Sequence, residues 1–140
     1  MTYMRATDPF PLESAEQTKL HEFYTRLAAG RLATTRCTGC GRTAWPPRGF
    51  CPECASDAFE WVDLPLEGTI HAFTSQDTGM PAGFEGPRVF AIVKVGGHRI
   101  FSIVRGGGDL TIGRRVRLDP MRVTDDSKGG ARWLPAFTVA

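Results

Sequence analysis

Two cysteine pairs decide the fold: Cys37-Thr38-Gly39-Cys40 and, after a gap of ten residues, Cys51-Pro52-Glu53-Cys54. These four are all the cysteines in the 140-residue chain. Two residues between paired cysteines let both sulfurs reach one ion, and two such pairs complete a closed tetrahedral site of four thiolates. Because four protein ligands leave no open position for a substrate, the spacing predicts a structural metal rather than a catalytic one.

Zinc is the ion that we expect at this site. An iron site of rubredoxin type has the same ligand spacing, so the sequence does not separate the two metals. Two other interpretations are a pair of structural disulfides and a thioredoxin-like redox pair. Disulfides are disfavoured because nothing in the chain indicates export. The redox pair is disfavoured because the alternating strand and helix pattern of such folds is missing.

The length allows one ordinary domain, or a metal-stapled module of about thirty residues beside a small barrel. A hydrophobic content of 41% indicates a folded protein. The N-terminal residues 1–8 mix polar and apolar side chains, and prolines follow them, so we expect no signal peptide and no membrane span. The expected location is the cytoplasm.

Charge is divided unevenly along the chain. Residues 1–67 carry seven basic and nine acidic side chains, a net −2, whereas residues 68–140 carry ten and six, a net +4. Of the 17 basic residues, 14 are arginine, whose planar fork suits phosphate or carboxylate. This bias fits a phosphorylated small molecule or an acidic partner better than long duplex DNA, and a solvated surface is an equal explanation for any one residue.

Start and stop signals of a helix indicate that residues 14–29 are helical. Ser14 is placed as an N-cap, Gln17 completes a capping box, and Gly30 supplies the stop. Between them, apolar residues recur at helical spacing: Leu20, Phe23, Tyr24 and Leu27. We expect this stripe to pack on the metal module or the barrel, and an interface helix is the alternative.

After Gly68 the pattern is that of β-strands. We predict strands over 69–74, 89–95, 98–104, 115–118 and 134–139. Gly96-Gly97 is a two-residue turn that permits the positive φ angles of a tight hairpin. The predicted fold class is therefore mainly β with an N-terminal helix, in which a zinc ribbon precedes a small five-stranded Greek-key barrel of the OB type. The expected division is an arm and helix over 1–32, the ribbon over 33–66 and the barrel over 67–140.

Several short motifs together resemble domain-of-unknown-function family 35, from about residue 18 to the C-terminus. Beside the cysteine pairs, these motifs are Phe23-Tyr24 with Leu27, Gly30 and Leu32; Pro46-Pro47-Arg48; Gly68-Thr69-Ile70; and Leu110-x-Ile112-Gly113-x-x-Val116. The resemblance implies a helical arm, a rubredoxin-like zinc ribbon and a C-terminal OB-fold. It also implies a non-catalytic accessory subunit of an acyl-CoA-processing enzyme, such as a thiolase-like enzyme, a MaoC-type hydratase, an aldolase or an acyltransferase.

In that setting the module acts as a scaffold or helps to bind the CoA part of the substrate. Arginines of the barrel are of the right type to contact CoA phosphates. The candidates are Arg88, Arg99, Arg105 and Arg115. We expect no catalytic residue, because the cysteines are committed to metal and the histidines are scattered over different predicted elements.

The alternative function is single-stranded nucleic-acid binding by the OB-fold, with Phe73, Phe90 and Phe101 as stacking residues. Two observations argue against it. Strand phenylalanines of so small a barrel are expected in its core, and a net charge of +2 is a weak electrostatic signal.

Overall fold

A computed structural model describes residues 15–16, 18–79, 88–106, 109–123 and 132–140. Its N-terminal helix is α1 (His21–Ala28). Its strands are β1 (Ala33–Cys37), β2 (Phe59–Asp63), β3 (Glu67–Gln76), β4 (Arg88–Val95), β5 (His98–Arg105), β6 (Arg115–Leu118), β7 (Met121–Val123), β8 (Arg132–Leu134) and β9 (Ala136–Val139). No helix in the described ranges is both long and apolar enough to cross a membrane.

The ribbon is a two-stranded antiparallel sheet that carries both cysteine pairs. Strands β1 and β2 pair from Ala33 opposite Asp63 to Cys37 opposite Phe59. The segment between the cysteine pairs returns to β1, because Thr43 forms an isolated bridge with Arg36. This sheet fixes Cys37 at its end, where the first cysteine pair begins.

Five strands close into a barrel in the order β3-β4-β5-β9-β6, and β6 returns to β3. The β5–β9 pairing is parallel and the other barrel pairings are antiparallel. The predicted hairpin joins β4 to β5, where Gly96 and Gly97 have φ angles of +55° and +107°. The predicted fold class, with its N-terminal helix, zinc-ribbon region and five-stranded barrel of OB type, is confirmed.

Helix α1 ends where the sequence predicts and begins later. Gly30 has a φ of +80°, and its amide donates to the Leu27 carbonyl at 2.9 Å. The predicted start near residue 14 is wrong, because residues 15–16 and 18–20 are not helical. The Thr18 hydroxyl accepts the Leu20 amide at 3.1 Å, a local bond that competes with helix formation. Ser14 and Gln17 lie outside the described residues.

One hydrophobic core joins the helix, the ribbon and the barrel. It includes Phe23 and Leu27 of α1, and Leu32 just before β1. The barrel contributes Ile70, Ala91, Val93, Val95, Ile100, Val104, Val116, Leu118 and Phe137. Two ribbon tryptophans, Trp45 and Trp61, pack against the same cluster. The apolar stripe of α1 is therefore committed to the interior.

A short hairpin of β7 and β8 lies outside the barrel and was not predicted. Its Met121 forms a second small core with Ile103 and Ala136, and Phe90 packs against this cluster. The predicted strand over 134–139 is divided, because Leu134 ends β8 and Ala136 begins β9. Proline has no amide hydrogen to donate to a strand ladder, which explains why the break falls at Pro135.

The three candidate stacking residues, Phe73, Phe90 and Phe101, are not core residues, contrary to expectation. Phe101 is 68% exposed and Phe73 is 42% exposed, while Phe90 is half-buried. Phe90 and Phe101 stack with ring centroids 5.7 Å apart and an interplanar angle of 2°. For Phe101 the expectation fails because β5 alternates, so that Ile100 and Val104 supply the barrel interior while Phe101 faces outward.

Candidate metal centre

The two cysteine pairs form knuckles with the same backbone bonds. In the first knuckle, the Gly41 amide donates to the Cys37 carbonyl at 2.8 Å. In the second, the Ala55 amide donates to the Cys51 carbonyl at 2.9 Å. The first cysteine of each knuckle also donates its own amide. Cys37 donates to the Arg42 carbonyl, and Cys51 donates to the Ser56 carbonyl. The repeated pattern brings two sulfurs of each knuckle toward a common centre.

The four Sγ atoms lie within 4.8 Å of one another. Cys37 and Cys54 have their Sγ atoms 3.6 Å apart, as do Cys40 and Cys51. A tetrahedral ion with bonds of about 2.3 Å places its sulfurs roughly 3.8 Å apart. The donor set and its spacing therefore fit a four-thiolate metal site. Within the described ranges, this is the only such group of three or more histidine, cysteine, aspartate or glutamate side chains.

None of the four thiols is in a disulfide. A disulfide holds its sulfurs about 2.0 Å apart, well below the 3.6 Å separations of the closest pairs. The disulfide interpretation is therefore not the arrangement of this structure. Cys37 and Cys51 are buried and Cys40 and Cys54 are exposed, so the cluster lies at the edge of the ribbon.

Backbone amides favour the thiolate at the first cysteine of each knuckle. The Cys40 amide, with help from the Cys54 thiol and the Gly39 amide, lowers the pKa of Cys37 to about 6 despite burial. The amides of Cys54 and Glu53 likewise lower the pKa of Cys51. Amides directed at sulfur stabilise negative charge there, which is what a thiolate ligand requires.

The second cysteine of each knuckle shows the opposite shift. The Ser56 amide acts to lower the pKa of Cys54, but the Cys37 thiol, burial and the remaining thiols raise it to about 11. At Cys40 the Arg42 amide acts to lower the pKa, while the Cys51 thiol and burial raise it. Four sulfurs this close cannot all be negative without a cation, so a cation at the centre is what would allow all four to act as thiolate ligands.

Two arginines lie near the cluster, where a guanidinium could contact phosphate or balance thiolate charge. Arg42 forms an exposed ion pair with Glu53 at 3.6 Å. Arg48 donates its backbone amide to the Thr35 hydroxyl at 2.8 Å, and its side chain is exposed. Both border an open cavity of about 250 Å³, which Phe50 also lines. The structure does not direct either guanidinium at the sulfurs through a hydrogen bond or ion pair.

Residues 25–60 match the family model described as the ChsH2 rubredoxin-like zinc ribbon domain. A chain of a solved structure named Ltp2-ChsH2(DUF35) aldolase superposes with a TM-score of 0.73 and 25% sequence identity. The superposition covers 90% of this chain and 98% of that one.

The chain resembles the DUF35 proteins.

A second DUF35 structure, a protein of unknown function from Sulfolobus solfataricus, has the same fold. It superposes with a TM-score of 0.60 at 18% identity and covers 98% of each chain. No curated protein sequence matches the chain. The resemblance to DUF35 that the sequence indicates is thus confirmed by the ribbon model and by the fold of the whole chain.

The four arginines proposed for CoA are placed in two separate groups of this DUF35-like barrel. Arg88 begins β4 and Arg105 ends β5, at one end of the antiparallel pair. Arg99 and Arg115 lie on a different row, which runs from Arg115 to Thr69, Lys94 and Arg99 across four adjacent strands. The structure therefore does not bring all four together, and their CoA contacts stay a prediction.

Two of these arginines already have acidic partners. Arg105 donates to the Asp119 carboxylate at 2.8 Å and to its carbonyl at 2.6 Å. Arg115 contacts Glu67 at 2.5 Å. Arg88 and Arg99 form no ion pair with any described residue.

Sequence reasoning missed Lys94 as a member of the cationic row. It lies directly opposite Arg99 across the β4–β5 pair, and both side chains are exposed. The tight Gly96-Gly97 turn could have revealed this, because a two-residue turn fixes which residues of a hairpin face each other.

Proposed function

We propose that this protein is a non-catalytic subunit of an acyl-CoA-processing enzyme complex, held in shape by a structural zinc ion. The observation that carries the proposal is the similarity to a chain of the Ltp2-ChsH2(DUF35) aldolase structure. This similarity covers 90% of this chain and 98% of the other. A likeness that extends over ribbon and barrel together favours a shared role of the whole module. An aldolase or a thiolase-like enzyme is the partner class that we infer first.

Zinc is supported by the donor chemistry. Cys37, Cys40, Cys51 and Cys54 offer four soft sulfur ligands and no water position, which suits a structural zinc and leaves no site for substrate. Metal analysis of the purified protein tests this. About one zinc per chain is expected, and one iron per chain with a visible charge-transfer absorption would identify the rubredoxin-type alternative.

The non-catalytic role is supported by how the reactive side chains are used. The cysteines form one metal-type cluster. His21 lies on α1 with its Nδ1 3.2 Å from the Thr18 carbonyl, whereas His71 and His98 lie on β3 and β5. The described residues thus offer no pairing of nucleophile and base.

Affinity purification of the tagged, zinc-loaded protein from its native cell extract tests the assembly. Stoichiometric recovery of an aldolase, a thiolase-like enzyme or a hydratase is expected, together with acyl-CoA turnover by the complex. Turnover by the isolated chain, or its purification without any such subunit, would contradict the proposal.

Contact with the CoA part of the substrate is a finer proposal. Arg88 supports it best, because its guanidinium forms no ion pair among the described residues. Arg88→Gln is expected to raise the Kd of the complex for CoA. Arg105→Gln and Arg115→Gln, at arginines that have acidic partners, provide the comparison. Equal effects at all three positions would point to the general field of the barrel rather than to direct contact.

Single-stranded nucleic-acid binding is the second candidate, and one observation favours it. Phe101 is 68% exposed on the outer face of β5, beside the cations Arg99 and Lys94. Aromatic residues of OB-fold strands stack bases in this way. Titration with a fluorescent thymidine oligonucleotide separates the two candidates. Binding at physiological salt would support the nucleic-acid function, whereas the accessory-subunit proposal expects none.

A further inference from the structure

The outer face of the β4–β5 hairpin carries an apolar centre beside cations. We define the Phe101 face as Phe90, Ile92, Lys94, Arg99 and Phe101. Ile92 lies opposite Phe101, and Lys94 lies opposite Arg99, so these residues form two neighbouring rows on one side of the sheet. Phe90 stacks on Phe101 from the next row.

The cover over this side of the sheet stops beside Phe101. Ile103 lies two residues later on the same side of β5 and is only 5% exposed, because Met121 of β7 packs on it. Phe101 is 68% exposed, and Phe90 holds it in a stacked position. A large aromatic side chain that is both ordered by a neighbour and open to solvent has the properties of an interface anchor.

The charged side chains of β4 and β5 are all cationic. Strands β4 and β5 contain Arg88, Lys94, Arg99 and Arg105 and no acidic residue. Lys94 and Arg99 are exposed and form no ion pair with any described residue. A protein surface that complements this face therefore supplies carboxylates next to an apolar recess.

We infer that the Phe101 face is the docking surface for the enzyme subunit. Phe101 inserts into an apolar recess of that subunit, and carboxylates that flank the recess pair with Lys94 and Arg99. The inference rests on the proposed accessory function and names the contact that assembles the complex. Charge decides against a second copy of this chain as the occupant. In a two-fold symmetric contact the same face meets itself, which would bring four cations together with no carboxylate from β4 or β5.

Binding of the recovered enzyme subunit to immobilised protein tests the inference. Phe101→Ser is expected to raise the Kd about 30-fold or more, as truncation of an aromatic anchor does. The double variant Lys94→Glu with Arg99→Glu is expected to slow association about tenfold at low salt and to remove most of its salt dependence. Melting temperature and zinc content of these variants should match the wild type, because all three side chains are exposed.

Phe50→Ser is the matched control, since Phe50 is an aromatic residue 58% exposed on the ribbon. Wild-type affinity is expected for it. If Phe101→Ser binds like wild type while wild type still binds the subunit, the docking inference is wrong and the proposed function stands. If wild type itself does not bind the subunit, the proposed function fails and the docking inference fails with it.

Two further results would assign the Phe101 face to another occupant and overturn the inference. One is oligonucleotide binding that Phe101→Ser abolishes. The other is a dimer in sedimentation analysis of the isolated protein that Phe101→Ser dissociates. A monomer that ignores the oligonucleotide is the expected result.

Discussion

At the scale of single residues, Gly41 and Ala55 hold equivalent positions in the two cysteine knuckles. Each donates its amide to the carbonyl of the first cysteine of its knuckle. Both have a positive φ, +78° at Gly41 and +60° at Ala55. Glycine adopts this conformation without steric penalty, whereas a residue with a Cβ loses roughly 1–2 kcal/mol. The second knuckle therefore contains strain that the first avoids.

Exchanging the two residue types should shift stability in opposite directions. Gly41→Ala is expected to lower the free energy of unfolding by about 1–2 kcal/mol. A Cβ at Gly41 would have no neighbour within 4 Å, so the effect is conformational rather than steric. Ala55→Gly is expected to raise the free energy of unfolding by about 0.5–1 kcal/mol, since the added chain entropy offsets part of the relief. Urea unfolding of the zinc-loaded variants measures both, and shifts in the same direction would contradict the equivalence of the knuckles.

Asp63 provides a pH-dependent contribution to stability. Its carboxylate accepts a hydrogen bond from Arg31 at 2.7 Å, which is the main cause that lowers the pKa of Asp63 below its ordinary 3.8. A carboxyl group whose pKa is lower in the folded state stabilises the fold above its ordinary pKa. This contribution is lost as the pH falls through the lowered value.

Asp63→Asn is therefore expected to lower the melting temperature by a few degrees at most, because the pair is exposed. The difference from wild type should stay constant from pH 8 to pH 5. Thermal melts in that range test the sign without approaching acid release of the metal. A difference that already shrinks between pH 6 and pH 5 would contradict the lowered pKa of Asp63.

The cysteine cluster was predictable from sequence and the Phe101 face was not. Two knuckles with two residues between cysteines define their own geometry, so local spacing is sufficient. Phe101 is exposed because β7 covers Ile103 of β5 and does not extend over Phe101. The local sequence pattern of β5 does not show how far this cover extends. The stacking candidates were named correctly as aromatic strand residues, but their placement in the core was wrong.

At the scale of elements, α1 connects the ribbon to the barrel. Leu27 is fully buried and Phe23 is 8% exposed, and both belong to the core that the barrel strands share. The Phe23 ring also contacts Tyr24 and Trp45 edge-on, with centroids 5.1 and 6.0 Å away. Deleting this helix would therefore open the core, so a deletion cannot serve as a clean test of a partner surface.

A point change in α1 measures its contribution without removing it. Leu27→Ala is expected to lower the free energy of unfolding by about 2–5 kcal/mol, the usual result of emptying a buried leucine site. Thr25→Ala is the matched control, because Thr25 is exposed on the same helix, and little change is expected. Denaturant unfolding of both variants decides. A Leu27→Ala loss no larger than that of the control would show that α1 does not share the barrel core.

The barrel strands were predicted closely, whereas the start of α1 and the β7–β8 hairpin were not. The predicted strand over 115–118 matches β6 (Arg115–Leu118), and Gly96-Gly97 located the β4–β5 turn correctly. The predicted helix start was wrong because the Thr18 hydroxyl accepts a hydrogen bond from the Leu20 amide. A capping-box pattern at Ser14 and Gln17 does not reveal such a competing local bond.

At the scale of the whole molecule, the shared core indicates that the ribbon and the barrel do not unfold independently. Leu32, Trp45 and Trp61 of the ribbon region belong to or pack against the same cluster as Ile70 and Phe137 of the barrel. The division into 1–32, 33–66 and 67–140 stays a prediction, which limited proteolysis would test. Contacts of this kind connect the stability of the barrel to that of the ribbon.

Removing the metal should therefore destabilise more than the ribbon. A structural zinc contributes on the order of 10 kcal/mol or more to the folding of small zinc modules, comparable to the whole stability of a domain. Without it, the ribbon strands lose the ion that cross-links their knuckles, and Trp45 and Trp61 lose their fixed packing. We expect a strong chelator to abolish the near-ultraviolet circular dichroism of the tryptophans and to lower the melting temperature of the entire chain in one transition.

Chelator already saturated with zinc is the control, and re-addition of zinc to the stripped protein should restore the signal. A melting curve that does not change after verified metal removal would refute a structural role for the ion. Two transitions, one lost with the metal and one at the original temperature, would show that the barrel folds independently of the ribbon. In that case the contacts of Leu32, Trp45 and Trp61 with the barrel core would be contacts between separable units, and a barrel fragment could be tested alone for docking through Phe101.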